Sequence, residues 1–114
     1  MTGKRRGAFG PAVLLAVACA GLLAGCSRRA AVHVVEIRGL QFRPPHLVVA
    51  PGDTVVWLNH DVVPHTTTAL DHSWASPTIA SDSSWRTVLT APGVHPYTCT
   101  LHTNMHADIE MRKS

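Results

Sequence analysis

Short runs of apolar, β-branched residues, separated by turn-forming residues, fill most of the chain beyond position 31. The first three runs read AVHVVEI (31–37), HLVVA (46–50) and DTVVWLN (53–59), and a PGD turn joins the last two. β-Branched residues favour strands, whereas Pro, Gly and Asp favour tight turns. No segment shows a helical period of useful length, so this part of the chain is predicted to consist of strands.

The second half of the chain continues the same pattern. Further strands are predicted in HTTTAL (65–70), WRTVLT (85–90) and VHPYTCT (94–100). The stretch 105–111 alternates, with Met105, Ala107, Ile109 and Met111 on one face and His106, Asp108 and Glu110 on the other. A period of two with one buried face is typical of an antiparallel sheet. Seven or eight short strands within residues 32–114 predict an all-β Greek-key sandwich.

The first 26 residues have a different character. Three basic residues at positions 4–6 precede an apolar run at 12–23, which is the pattern of an export signal. An uncleaved membrane anchor is the alternative, because residues 7–27 carry no charge and a span needs roughly 20 apolar residues. The segment has no polar face, so a buried helix of the domain is not expected.

The end of the apolar run adds detail. LLAGC (22–26) resembles the lipobox of bacterial lipoproteins, in which the Cys is acylated and the preceding peptide bond is cut. This resemblance implies a signal peptide at 1–25, lipidation at Cys26, a short linker at 26–31, and a protein anchored at the cell envelope that faces the periplasm or the outside. A soluble secreted protein, cleaved after ACA (18–20), is the alternative.

Charge and cysteine content narrow the function classes. Three of the ten basic residues lie in the signal, which leaves seven against seven acidic residues. The chain therefore has no basic excess that would favour nucleic acid as a partner. With Cys19 in the signal and Cys26 lipidated, Cys99 is the only remaining thiol, and no intramolecular disulfide is expected. Metal ligation is one way to protect a lone thiol in an oxidising compartment.

Candidate metal ligands cluster near the end of the chain. YTCTLHTNM (97–105) places Cys99, His102 and Met105 at intervals of three, and His65 follows a rigid Pro64 further upstream. Two imidazoles, one thiolate and one thioether suit copper that cycles between two oxidation states. Strand alternation turns Cys99 and Met105 inward. The remaining histidines are expected to be surface or half-buried residues, namely His33, His46, His60, His72, His95 and His106.

With these residues in place, the chain resembles the cupredoxins. Cys-x-x-His-x-x-Met is the ligand spacing of the amicyanin-like members, and the segment 42–65, FRPPHLVVAPGDTVVWLNHDVVPH, is similar to a second family pattern. The resemblance implies one type 1 copper per chain. It makes His65, Cys99 and His102 the equatorial ligands and Met105 the axial ligand.

The resemblance also implies supporting residues. Asn59 matches a family Asn that ties the His65 loop to the ligand loop, with the backbone or hydroxyl of Thr100 as its partner. The chain departs from the family pattern at Thr103, where many relatives have Pro, and at Thr66, which replaces a frequent Asn. Two further groups are expected to be structural: Asp53, Asp61 and Asp71 as turn and cap residues, and Trp57, Trp74 and Trp85 as packing residues.

The predicted function is one-electron transfer at the cell envelope by a monomer that meets redox partner proteins. Copper delivery or buffering is the alternative. An enzyme is not expected, because four protein ligands leave no open coordination position. Apolar Val62, Val63, Pro64 and Leu101 are predicted to surround the edge of His102 as a docking patch for the partner, since weak redox encounters use small interfaces.

Overall fold

The structure is a computed structural model that describes residues 28–113, together with positions 2, 3, 7 and 10. The predicted export signal and Cys26 lie outside the described residues, so the domain boundaries at 25 and 31 stay predictions. Within the described part of the chain, no helix has the length and apolar character needed to span a bilayer.

Eight strands form the domain. They are β1 (Val32–Ile37), β2 (Phe42–Arg43), β3 (His46–Val49), β4 (Thr54–Asn59), β5 (Thr68–Ala69), β6 (Ser84–Val88), β7 (Gly93–Thr98) and β8 (His106–Met111). The strands predicted from hydropathy are all present. The pattern did not reveal β2, which has only two residues, and it overextended β5, because the chain before Thr68 turns to present His65.

The strands form two four-stranded sheets, with orders β2-β1-β4-β6 and β3-β8-β7-β5. The predicted all-β sandwich is confirmed, and β8 pairs antiparallel with β7, as its alternation predicted. Two other pairs of strands are parallel. β1 is parallel to β4, and β3 is parallel to β8. The chain changes sheets at the turn between β3 and β4. Consecutive strands therefore do not pair there, and each finds a neighbour that runs in its own direction.

Aromatic side chains fill the space between the sheets. Trp57 is fully buried at the centre, and its ring centroid lies 5.7 Å from those of Trp74 and Tyr97 and 5.8 Å from that of Trp85. Phe42 closes the stack against Tyr97 at 4.6 Å. The expected packing role of the three tryptophans agrees with these contacts. Burial of several large rings gives this small domain a dense core.

The two ends of the sandwich carry different parts of the chain. β4 ends at Asn59 and β7 ends at Thr98, so the segments that follow them, with the predicted ligands, share one end, which we call the ligand end. β1 runs parallel to β4, so Val32 and the residues before it lie at the opposite end, which we call the linker end. Strands of six residues separate the two ends by about 20 Å.

His95 lies inside the sandwich, and its expected surface or half-buried position is wrong. Its two ring nitrogens face the Asp71 carboxylate and the Ala91 carbonyl, both acceptors. Burial lowers the pKa of His95, but these two hydrogen bonds and the charge of Asp71 outweigh burial and raise it. Hydrogen bonds from Ser73, and then from His95, lower the pKa of Asp71 to about 2.

We therefore predict that Asp71→Asn destabilises the fold in a pH-dependent way. The His95 contribution is complete below the unfolded pKa of 6.5 and disappears as pH rises through the higher folded value. The Asp71 contribution is present above 3.8 and is lost as pH falls towards 2. Urea unfolding should show a loss of about 1 kcal/mol near pH 5.5 and a smaller loss near pH 9.

The matched control for this prediction is Asp82→Asn, which changes an exposed carboxylate in a turn. It should leave the free energy of unfolding nearly unchanged at both pH values. An equal loss at both pH values for Asp71→Asn would show that the ion pair with His95 does not stabilise the domain.

Candidate metal centre

The four predicted ligands all lie at the ligand end. His65 is fully buried in the segment after β4, where backbone bonds to Ile79 in both directions (3.1 and 2.7 Å) fix its position. Cys99 follows β7 directly and is fully buried. His102 is half-buried in the loop before β8, and Met105, at its end, is buried. The imidazole of His102 is thus the ligand nearest to solvent.

The donor atoms of three ligands converge. Nδ1 of His65 and Nδ1 of His102 each lie 3.8 Å from Sγ of Cys99, and the three atoms lie within 4.8 Å of one another. Metal–ligand bonds of roughly 2.0–2.3 Å produce such separations around a single ion. Within residues 28–113 this is the only group of three or more His, Cys or carboxylate ligands. With Met105, a buried thioether whose amide bonds to the carbonyl of His102, the donor set fits copper.

The sulfur of Cys99 also accepts hydrogen bonds. The amide of Thr66 donates to Sγ at 3.3 Å, and the hydroxyl of Thr66 lies 3.9 Å from it. Donors aimed at a thiolate stabilise its negative charge and tune the redox potential of a bound metal. Thr66 therefore acts on the ligand although its own side chain is not one.

Asp61 fixes the orientation of His65. Its carboxylate lies 2.8 Å from Nε2 of His65 and accepts bonds from the amides of Gly39 (2.7 Å) and Leu40 (2.9 Å). Burial raises the pKa of Asp61, but the two amides and His65 outweigh it, so the pKa is lowered. An ionised carboxylate at Nε2 favours the tautomer with its proton there, which leaves Nδ1 free to bind metal.

Sequence analysis missed this role of Asp61, which was expected to be a turn or cap residue. Asp61 does accept backbone amides, as a cap does, but it also contacts a ligand. The available signal was a carboxylate four residues before a candidate ligand histidine. That spacing is not informative in a loop, because only the fold shows where the carboxylate points.

The predicted hydrogen bond between Asn59 and Thr100 is wrong. The buried side-chain amide of Asn59 donates to the carbonyls of Val63 (2.9 Å) and Ile79 (3.0 Å), and both of its N–H groups are used. Thr66 makes the link instead. Its hydroxyl accepts the amide of Thr100 at 2.9 Å and lies 2.9 Å from the Thr100 hydroxyl.

These bonds divide the supporting roles at the site. Asn59 braces the loop that precedes His65, whereas Thr66 joins that loop to the ligand loop. Thr66 stands where the family pattern often has Asn, and its hydroxyl is the group that contacts Thr100.

The other histidines lie outside the cluster. Four of them face carboxylates, in the pairs His33–Asp53, His46–Asp108, His60–Glu36 and His95–Asp71. His72 and His106 are exposed. His106 follows Met105 directly but points to solvent, as strand alternation predicted.

Apolar side chains are exposed on the loops that carry the histidine ligands. Val62 is 90% exposed, Val63 is 37% exposed and Leu101 is 51% exposed. Pro64, which lies between Val63 and His65 in the sequence, is also exposed. The residues predicted to form the docking patch are therefore at the surface, on the two loops that carry the histidine ligands.

We expect Asp61→Asn to weaken metal binding. The amide removes the negative charge that orients His65, and loss of such a partner lowers metal affinity about ten-fold or more. Competition with a chelator for Cu(I) measures the effect. Asp108→Asn is the matched control, because it alters another His–Asp pair whose histidine, His46, is not a predicted ligand. Equal affinities for the two variants would contradict the role assigned to Asp61.

Comparison with known proteins shows that the chain is similar to two amicyanins. No family model matches the chain. The chain is 27% identical over 81 residues to amicyanin from Paracoccus denitrificans, a match covering 67% of this chain and 62% of the relative. It is 26% identical over 80 residues to amicyanin-alpha from Methylorubrum extorquens, covering 66% of this chain and 67% of that protein. The chain thus spans slightly less than two thirds of the Paracoccus protein.

Solved structures agree on the fold. An oxidized mutant of amicyanin superimposes with a TM-score of 0.67 and 26% identity, over 71% of this chain and 82% of that chain. The Cu-containing nitrite reductase (NirK) from Thermus scotoductus SA-01 also gives a TM-score of 0.67, with 24% identity over 72% of this chain but only 22% of the reductase. This second likeness concerns the fold alone.

Three observations therefore agree: the two-sheet fold, the order of the ligands along the chain, and the convergence of their donor atoms. The chain has the cupredoxin fold and is similar to amicyanin, and the side chains of a type 1 copper site, His65, Cys99, His102 and Met105, lie at one end of its sandwich.

Proposed function

We propose that the protein carries single electrons between redox proteins at the cell envelope. The observation that carries this proposal is a set of four protein donors, three of them buried, held in place by hydrogen bonds from outside the set. Copper bound there supplies a one-electron couple. The protein's contribution is to keep its own ligands in one arrangement, whichever oxidation state is present.

Hydrogen bonds join the two ends of the ligand loop. The hydroxyl of Thr98 donates to the carbonyl of Met105 at 2.7 Å, and the amide of Met105 donates to the carbonyl of His102 at 3.1 Å. Thr100 is tied to Thr66. These bonds do not involve the donor atoms, so they persist when the charge at the centre changes. A site that moves little on oxidation and reduction suits fast electron transfer.

The same donor set argues against an enzyme. Catalytic metals keep an open position for substrate, whereas here four protein side chains would coordinate the metal. Similarity to the nitrite reductase extends over only 22% of that chain. The relatives found by sequence are amicyanins, which supports a role as a carrier.

The proposed location rests on the sequence before residue 28. LLAGC at 22–26, behind a basic and apolar segment, supports export, acylation at Cys26 and attachment to a membrane of the envelope. In that compartment a lone thiol is vulnerable to oxidation. Burial of Cys99 and its use as a ligand both protect it.

The proposed docking surface is the patch of Val62, Val63, Pro64 and Leu101 around the edge of His102. These apolar side chains are exposed on the two loops that carry His65 and His102. A small apolar surface desolvates easily and releases quickly, as a transient redox encounter requires. The partner that fits it is a redox protein with a small apolar area beside its own cofactor.

Substitutions at the ligands test the copper assignment. Cys99→Ser should abolish the intense blue absorption of the oxidised protein, because the thiolate is its source. Met105→Leu should keep copper and colour but raise the reduction potential, since it removes a weak axial donor. Met111→Leu, at the far end of β8, is the control and should change neither. A blue band that survives Cys99→Ser would refute the assignment, and a colourless copper complex of the unmodified protein would favour copper delivery.

Substitutions in the patch test the docking surface. Val63→Lys and Leu101→Lys should each slow electron exchange with a partner or a surrogate redox protein by about ten-fold or more, because a buried lysine charge is costly at an apolar contact. The blue band should not change. Val34→Lys, at a site that is 50% exposed on the outer face of β1, should leave the rate unaltered. Unaltered rates in all three variants would mean that the partner docks elsewhere.

A further inference from the structure

Basic side chains gather at the linker end, about 20 Å from the copper ligands. Arg28 and Arg29 precede β1, and Arg112 and Lys113 follow β8. The amide of Arg112 donates to the carbonyl of Val49, and Arg28 and Arg112 line one shallow cavity. Two chain segments that are distant in sequence therefore present four of the seven basic residues found in 28–113 on one end of the molecule.

Asp53 joins the start of the described chain to the domain. Its buried carboxylate accepts two bonds from Arg28 (2.8 and 3.0 Å) and one each from the amides of Ala31 (2.9 Å) and Ala50 (3.0 Å), and it lies 2.8 Å from His33. Asp53 neutralises Arg28 and has no capacity left for the other cations. Residues 28–31 are thus a bound part of the domain.

This attachment shortens the path to the proposed lipid. Cys26 lies two residues before Arg28, and two residues span at most about 7 Å. An acyl chain on Cys26 would therefore hold the linker end at the level of the headgroups. The reach of about 20 Å that six free residues would give does not apply, because Asp53 binds both Arg28 and Ala31 within that segment.

The surface chemistry at this end matches an anionic bilayer. Arg29, Arg112 and Lys113 are exposed. Of the carboxylates near this end, Asp53 is already paired. Glu110, the second-last residue of β8, lies on the outer face of the second sheet between Val48 and Val94 and offsets one of these three cations.

Two exposed apolar side chains accompany the charges. Val32 and Val88 flank Thr54 in the last row of the first sheet, at 61% and 52% exposure. Basic residues beside apolar residues are typical of surfaces that lie in the membrane interface.

We propose that the linker end is a membrane-contact surface for anionic lipid headgroups, which sets the domain upright with the ligand end facing away from the bilayer. Arg29, Arg112 and Lys113 bind the headgroups, and Val32 and Val88 contact the interface. This orientation leaves the patch around His102 open to partners. The proposal rests on the anchor at Cys26 proposed above and does not depend on the electron-transfer role.

The test uses the acylated, copper-loaded protein in vesicles that contain a headgroup-linked quencher. A fluorophore on Thr90→Cys reports the linker end, and one on Ser81→Cys reports the ligand end; both positions are exposed. In vesicles rich in phosphatidylglycerol, the Thr90 label should be quenched much more strongly than the Ser81 label. High salt, or pure phosphatidylcholine, should reduce this difference, because screening and loss of anionic lipid remove the attraction.

Charge variants identify the surface. Each basic side chain near anionic headgroups strengthens binding about five-fold. The double variant Arg112→Gln with Lys113→Gln should therefore lower the ratio of the upright orientation to all other orientations about 25-fold. Arg38→Gln with Arg43→Gln, which removes two cations near the ligand end, is the matched control and should have no such effect. The blue band should be unchanged in all of these variants.

Each failure has a distinct meaning. Equal quenching of the two labels overturns the proposed orientation, and quenching that is insensitive to lipid charge overturns headgroup recognition. A double variant at Arg112 and Lys113 that alters contact with an acidic protein but not quenching assigns the surface to that protein. If mass spectrometry finds no acyl group on Cys26 and the protein does not float with vesicles, this proposal falls, while the copper site stays untouched.

Discussion

Burial of one sulfur atom is the constraint on which the ligand end depends. Cys99 is fully buried, and its thiolate needs compensating contacts from several directions. The amide of Thr66 donates a hydrogen bond to the sulfur, and copper bound by Nδ1 of His65 and Nδ1 of His102 would supply the positive charge. These groups come from two loops of the sandwich, so the site exists only because the sheets hold both loops in register. The rigidity of the two sheets therefore fixes the arrangement of the copper ligands.

A second set of contacts fixes the ligands from outside. Asp61 holds His65 through the nitrogen that is not needed for metal, and Thr66 joins the two loops through Thr100. Asn59 braces the loop before His65. None of these three residues donates an atom to the cluster. They remove freedom from the ligands before metal arrives, which lowers the entropic cost of binding and limits rearrangement when the charge at the centre changes.

The sequence predicted the features that depend on local properties of the chain, but not those that depend on how distant segments meet in the fold. Strand alternation placed Cys99 and Met105 inward, and donor chemistry selected His65 and His102, because these properties are local. The parallel pairing of β1 with β4 escaped prediction, since pairing depends on where the chain changes sheets. The role of Asp61 and the Thr66–Thr100 link escaped for the same reason. A loop side chain has several partners within reach, and only the folded backbone selects one.

The central claim is that one set of four protein donors holds a single copper that exchanges one electron reversibly. Spectroelectrochemical titration of the purified protein, loaded with increasing copper, tests this claim most directly. We predict an intense blue band that saturates at one equivalent, bleaches with one electron and returns in full on reoxidation. A colourless complex, saturation at two equivalents, or loss of copper on reduction would contradict the account.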